Sequence, residues 1–237
     1  VRVKGMVLEP LASSEAILTQ KEKERGAAIV DIGGGTTDIV SFKKGAIDYT
    51  SIIPVGGFQF TNDICITYNT SYYDAEQIKL KYANTEPASI DMREEFTLPV
   101  INSKSLTTVY RRDLCQLMRE RTLELIRLID LKLQQAGVRQ DASAQIVMTG
   151  GASTMPGFFD MAQQFIPNCS IRMGAPDHLS GMSEELETPA YSTGVGILLY
   201  GYRQEISADK TALSHVRGIG NNGDGGVLNR IKGIFNF

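Results

Sequence analysis

The stretch Asp31-Ile32-Gly33-Gly34-Gly35-Thr36-Thr37-Asp38 governs how the rest of the chain is read. It follows Ala27–Val30, an apolar run of the kind that forms a buried strand, and it leads into Thr37–Phe42, which alternates as a half-buried strand does. A phosphate-binding P-loop would need GxxxxGK and a hydroxyl residue ahead of a helix. A dinucleotide fingerprint would need GxGxxG opening one, and neither is present. Glycines between two strands instead predict a hairpin tip whose exposed N–H groups form an anion-binding nest. A carboxylate at Asp31 would repel phosphate unless a divalent cation lay between them. Mg²⁺ held by one or two carboxylates and by phosphate oxygens is the familiar arrangement. Gly33, Gly34, Gly35, Thr36 and Thr37 are therefore candidates for phosphate contact and Asp31 for the metal; the competing reading is a plain tight turn.

Working outward, Lys43-Lys44-Gly45 turns the chain into a third strand, Ala46–Ile53, and three strands joined by tight turns predict an antiparallel meander closed by Val55-Gly56-Gly57. Upstream, Leu11, Ala12, Ala16 and Ile17 fall at helical spacing after Pro10, before a solvated run from Lys21 to Arg25. Residues 1–26 are read as one connecting helix, and Val1 as a cut inside a longer protein. Downstream, Thr61 is the expected N-cap of a helix over 62–68, and Asp74–Tyr82 a second helix carrying Glu76 and Lys79 one turn apart. That pair is either an ordinary solvated helix pair or a ligand clamp. Two β-like runs, Phe96–Ile101 and Leu106–Tyr110, precede the longest helix, Arg112–Ala136. Its stripe is Leu114, Met118, Leu125, Ile129 and Leu133, with Gly137 as its cap.

Gln145–Thr149 then reads as a buried strand entering Gly150-Gly151-Ala152-Ser153-Thr154-Met155-Pro156-Gly157. The small residues there would let a flat ring or ribose lie against the backbone, or would simply make a strand-to-helix loop. Helices are expected at Phe158–Phe165 and Tyr191–Tyr202. Small residues four apart, Ala12 with Ala16 and Ala190 with Gly194, would allow two helices to cross closely. The fold class is α/β, with 27–65 and 141–205 as the nucleotide-facing core and 66–140 as an inserted α+β subdomain.

Composition narrows the function classes. The 237 residues carry 24 Lys+Arg against 27 Asp+Glu, a net charge of −3, so no general basic excess suggests nucleic acid as a partner. Three widely spaced cysteines and two histidines give neither a disulfide framework nor a zinc pattern, making a reducing cytosol the default. No apolar run approaches the ~20 residues of a spanning helix.

Taken in order, DIGGGTTD, VGG, ExxK on a helix, GGASTMPGF and AYSTGVGILLYGY resemble the second half of the actin, Hsp70 and sugar-kinase superfamily of ATPases. Within it the chain is similar to the FtsA family of bacterial cell division proteins, from Met6-Val7-Leu8-Glu9-Pro10 through Ile53-Pro54-Val55-Gly56-Gly57 and Thr61-Asn62-Asp63-Ile64. The resemblance implies an actin-like (ribonuclease H-like) fold that binds ATP and Mg²⁺, with weak or regulatory hydrolysis. It makes Asp31 to Thr36 the second phosphate loop, with Asp31 acting through the metal and its waters. Glu9 becomes the water-positioning residue, Gly150, Gly151, Ala152 and Met155 the adenosine motif, and Glu76 and Lys79 the neighbours of ribose and adenine. Gly56 and Gly57 close the same site. The family's first phosphate hairpin, D-x-G followed by Ser or Thr, has no counterpart in these residues. The chain is therefore expected to hold about half of an ATP site and to bind ATP weakly by itself.

The tail reads differently. Residues 206–226 are expected to be a flexible linker rich in Gly, Asn, Ser and Asp. Beyond it Val227, Leu228, Ile231, Ile234 and Phe235 recur at helical spacing, with Arg230 and Lys232 and no acid. A basic, apolar-faced helix of this kind suits the anionic inner leaflet of the cell membrane. Eleven residues anchor weakly, so stable attachment would require several copies in a filament. The resemblance adds FtsZ as the partner, recruited through 66–140, and a location on the cytoplasmic side of the membrane at the division septum. The rival reading is a soluble chaperone- or sugar-kinase-type ATPase.

Overall fold

The computed structural model describes residues 3, 5–141 and 144–217. Two short helices, α1 (Glu9–Ile17) and α2 (Gln20–Arg25), lead into a meander of β1 (Ala27–Ile32), β2 (Thr37–Lys43) and β3 (Ala46–Ile53). The chain then passes through α3 (Gly57–Tyr68), α4 (Tyr72–Tyr82), the hairpin β4 (Glu95–Pro99) and β5 (Leu106–Tyr110), and the long helix α5 (Arg111–Gln135). It returns as β6 (Gln145–Thr149), α6 (Phe158–Phe165), β7 (Ser170–Met173) and α7 (Ser192–Arg217).

The five-stranded sheet has the order β3-β2-β1-β6-β7, antiparallel within the meander and parallel from β1 through β6 to β7. All six residues of β1 are buried, Asp31 among them, which is why Ala27–Val30 reads as a continuous apolar run. Its alternation divides the core. Ala28, Val30 and Ile32 pack with Ile146, Met148, Leu125, Ile129 and Phe158 on one face; Ile29 packs with Val40, Val147, Ile17 and Val195 on the other. The β1/β2 register sets Asp31 directly opposite Asp38.

Several elements differ from the sequence expectation. Residues 1–26 contain two helices, because Thr19 breaks the first and caps the second through a reciprocal capping box with Glu22. Lys23 of the supposedly solvated run is buried, paired with Glu15 at 2.8 Å and with its ammonium 5.2 Å from the Phe42 ring centre. Helix α3 starts at Gly57 rather than after Thr61, since Gln59 Oε1 accepts the Gly56 N–H at 2.8 Å and supplies the cap from within the first turn. Strand β7 is too short for a pattern, with Ile171 its one buried residue. The segment between β3 and β6 shares one apolar cluster with the sheet: Ile64, Phe96, Leu98, Leu114 and Met118 belong with Val30 and Met148, and α3 runs through the expected boundary at 65/66.

The chain divides into compact units of 1–199 and 200–237. In the second, α7 continues to Arg217, so 206–217 are helix rather than linker. Ala208, Lys210, Ala212 and Leu213 are helix formers, and the glycine-rich stretch begins only at Gly218. The rest of the expected linker and the amphipathic helix at 227–237 lie outside the described residues. Among the described residues no helix is long and apolar enough to cross a membrane.

The close crossing of α1 and α7 is made by Ala12 and Gly196. A β-carbon on Gly196 would run into the Ala12 carbonyl, whereas one on Gly194 would meet nothing, and Ala190 lies against Gly151 instead. Gly196→Val should therefore force backbone apart and cost about 1–3 kcal/mol, lowering the melting temperature by about 2–4 °C per kcal/mol. Gly194→Ala should be near neutral in the same thermal melt.

Candidate functional site

Strands β1 and β6 run parallel, and each delivers a glycine pair or triple at its C-terminal end, where ligands bind in open α/β sheets. Gly33 N donates to Thr36 O at 2.9 Å and closes the first tip. The carbonyls of this tip are taken by the N-terminus of α3: Gly57 N donates to Gly33 O at 2.9 Å and Phe58 N to Gly34 O at 2.6 Å. Gly56 has to be glycine for this approach, since its β-carbon would stand 2.7 Å from Gly33 O. With its carbonyls tied down, the tip presents the other side of its peptides. No acceptor among the described residues takes the N–H of Gly34 or Gly35, and β-carbons there would meet open space.

The second tip is held against the first. Gly150, at φ +89°, lies so close to β1 that a β-carbon would stand 2.5 Å from Asp31 Oδ1. A short 3₁₀ turn over Gly151–Thr154 follows, and Ser153 Oγ donates to Gly150 O at 2.7 Å to fix it. Between the tips, α3 and α4 lies a cavity of about 650 Å³, within the range of small-molecule sites. Nine of the residues expected to bind nucleotide line it: Gly33, Gly34, Gly35, Gly57, Glu76, Lys79, Gly151, Ala152 and Met155. The other four act behind the wall. Gly56 and Gly150 are the close approaches just described, Thr36 Oγ1 donates to Asp38 at 2.8 Å, and Thr37 Oγ1 donates to Val55 O at 2.8 Å, tying β2 to the segment before α3.

Asp31 and Glu9 do not line the cavity. Asp31 projects to the face covered by α1 and α7, where its Oδ2 accepts from Ser13 Oγ at 2.6 Å and Thr193 Oγ1 at 3.3 Å. Burial pushes its carboxyl above the ordinary range and the Asp38 charge adds to this, opposed by the hydroxyl bonds. Glu9, at the start of α1, is also raised, first by partial burial and then by Asp31 and Asp38. Three carboxylates thus concentrate negative charge beside the first tip. Among the described residues no set of three His, Cys, Asp or Glu forms a metal cage. The arrangement suits a hydrated cation touching one or two carboxylates.

Sequence reasoning passes over Ser13 and Thr193, the partners of Asp31, and Thr61, read as a cap but buried between α3 and α4. It also passes over Phe58 and Tyr72, which stack at 5.2 Å between ring centres and line the cavity mouth. Lone hydroxyls and single aromatics carry no spacing signal, so only their partners reveal them.

The architecture is shared with solved structures that cover most of this chain. MreB5 of Spiroplasma citri bound to AMPPNP aligns with a TM-score of 0.63 at 16% identity, over 86% of this chain and 60% of that one. A PilM–PilN type IV pilus biogenesis complex gives 0.61 at 18%, over 84% and 53%. The ethanolamine utilization protein EutJ of Carboxydothermus hydrogenoformans gives 0.55 at 21%, over 82% and 55%. The shared architecture is the actin-like fold.

A family model described as "Cell division protein FtsA" matches residues 28–196. FtsA of Pseudomonas aeruginosa is 35% identical over 232 residues, 98% of this chain and 55% of that protein; FtsA of Escherichia coli K12 is 33% identical over 216 residues, 88% and 51%. The chain belongs to the FtsA family of cell division proteins, and it spans about half the length of the curated relatives it matches.

The raised Asp31 carboxyl predicts a sign for pH dependence. An acid that binds its proton more tightly folded than unfolded makes stability fall as pH rises from its ordinary value through the folded one. Asp31→Asn, which keeps an acceptor for Ser13, should flatten that fall and leave the chain more stable than the unsubstituted form at neutral pH. Urea unfolding between pH 4 and 8 checks it, and a loss of stability on Asp31→Asn at pH 7 would contradict the reading.

Proposed function

We propose that the protein binds ATP with Mg²⁺ between its glycine tips and serves as an actin-like scaffold that joins FtsZ to the cytoplasmic membrane at the division site. The observation that carries the nucleotide part is the meeting of both tips with Glu76 and Lys79 around one cavity of about 650 Å³. Free N–H groups at Gly34 and Gly35 suit phosphate, and the small residues Gly151 and Ala152 leave room for a flat group. The solved MreB5 structures with AMPPNP and ADP support the same ligand class. When bound, the cation offsets repulsion between phosphate and the Glu9, Asp31 and Asp38 carboxylates. Asp31 is the residue that would hold it through water, and Glu9 the one that would orient an attacking water.

These 237 residues supply one phosphate hairpin, so their own affinity for MgATP should be weak, with a Kd on the order of 1 mM. Titration followed by backbone amide NMR should move the resonances of Gly34, Gly35, Gly151 and Lys79. Nanomolar, Mg²⁺-dependent binding in calorimetry would overturn the half-site reading, and unmoved resonances would overturn the nucleotide reading.

For FtsZ, the supporting feature is a second cavity of about 250 Å³ between α3 and α5. Exposed Ile66 lines it beside Arg121, whose Nε and Nη2 donate to Asp63 at 2.6 and 2.8 Å while Nη1 donates to Glu124 at 2.6 Å. An apolar spot rimmed by fixed charges suits a short peptide of a partner. Ile66→Asp should weaken co-sedimentation with FtsZ polymers about tenfold or more without moving the melting temperature. For the membrane, the basic, apolar-patterned segment 227–237 should sediment the chain with anionic liposomes, and Ile231→Asp or Phe235→Asp should abolish this. Retention of both variants would return the protein to the soluble ATPase reading.

A further inference from the structure

The second tip meets β1 at Gly150, and Met155 and Pro156 lie on the stretch that leads away from that meeting point; both line the cavity. Their support comes from residues that do not. Thr85, in the turn that follows α4, donates its N–H to Pro156 O at 3.0 Å. The approach leaves no room for a side chain on Gly157, at φ +82°, whose β-carbon would run into Thr85 Oγ1. Thr85 is fully buried, yet its hydroxyl finds no partner among the described residues. A buried hydroxyl without a partner costs stability, so the residue serves this contact through its backbone.

A turn free to move could not hold a loop, and this one is gripped by a single stripe of α5. Arg111, Cys115 and Arg119 follow one another at four-residue spacing, on one face of the helix. Arg111 Nε donates to Tyr82 O at 3.0 Å and Cys115 Sγ to the same carbonyl at 3.6 Å. Arg119 Nη1 donates to Thr85 O and to Glu86 Oε1, both at 2.9 Å. Thr85 is therefore held at its carbonyl by α5 while its N–H holds Pro156. Helix α5 is itself fixed, with Leu114, Met118, Leu125 and Ile129 in the main apolar cluster.

We propose that Arg119 is a positioning residue for the base of the bound nucleotide: through Thr85 it fixes the Met155-Pro156 wall of the cavity. This rests on the nucleotide reading above. The two glycine tips then have separate supports, the first pinned by α3 and the far stretch of the second braced by α5. A wall fixed in advance does not have to be ordered by the ligand, which is how an arginine outside the cavity contributes affinity. Loss of the brace is felt by the base and not by the phosphates.

The test compares MgATP with Mg-tripolyphosphate, which carries three phosphates and neither sugar nor base, by NMR titration of the 237-residue chain and its variants. The unsubstituted chain should bind ATP the more tightly. Arg119→Met keeps the apolar stem and removes both hydrogen bonds. It should lower ATP affinity about three- to tenfold, the cost of ordering one or two groups on binding, and leave tripolyphosphate affinity in place. Gly157→Ala attacks the same contact from the other side and covers the case in which the methionine variant melts early. It should lower ATP affinity alone, and adding Thr85→Ala, which takes away the obstructing hydroxyl, should recover most of the loss. An ATP-to-tripolyphosphate ratio unchanged in both Arg119→Met and Gly157→Ala, or equal loss for both ligands, overturns the proposal while leaving nucleotide binding intact. Failure of the unsubstituted chain to bind either ligand overturns the underlying reading and the proposal together.

Discussion

The site depends on two hydrogen bonds between the glycine tip after β1 and the first turn of α3, Gly57 N to Gly33 O and Phe58 N to Gly34 O. A helix N-terminus normally leaves such donors unpaired, and a three-glycine tip normally wanders. Here each satisfies the other. The helix start is capped by the loop, and the loop is pinned with its carbonyls turned inward and its remaining N–H groups turned to the cavity. The contact is close enough that Gly56 cannot carry a side chain. Pinning the loop in advance means that a ligand does not have to order it, and the affinity otherwise lost to that ordering is retained.

From this clamp the other walls follow. Because α3 is fixed at its start, Thr61 one turn later faces α4, and the Thr61–Lys79–Glu76 knot ties the two helices together. Because β1 and β6 are parallel neighbours, Gly150 comes against Ile32 and Asp31, and only a residue without a side chain at φ +89° tolerates that approach. The two tips therefore share a cavity though more than a hundred residues separate them. On the opposite face, the Asp31–Asp38 pairing concentrates charge that a folded core would avoid. Burial and the facing Asp38 charge both raise the Asp31 carboxyl at this position beside the glycine tip.

A family of actin-like proteins is thus represented here by its C-terminal architecture: a sheet edge built as a meander, two parallel strands that carry loops, and an insertion that roofs the cavity. The insertion is packed into the same apolar cluster as the sheet, so movement of the roof relative to the floor would disturb Phe158, Leu125 and Ile64 together.

Much of this is legible from residue order alone. Strong periodicity marks β1, β2, β3, α5 and β6 close to their observed bounds, and glycine clusters after apolar runs mark both tips, because close backbone approach excludes every other residue. The amino-acid sequence by itself determined where the chain turns and which backbone stretches are bare enough to meet a ligand. Tertiary structure alone decided that Thr61 is a buried strut rather than a cap, that Gly196 and not Gly194 meets Ala12, that α7 runs on to Arg217, and that Asp31 leans on Ser13 and Thr193 away from the cavity. Those outcomes depend on partners far along the chain, and a single hydroxyl or glycine has no period by which its partner can be read.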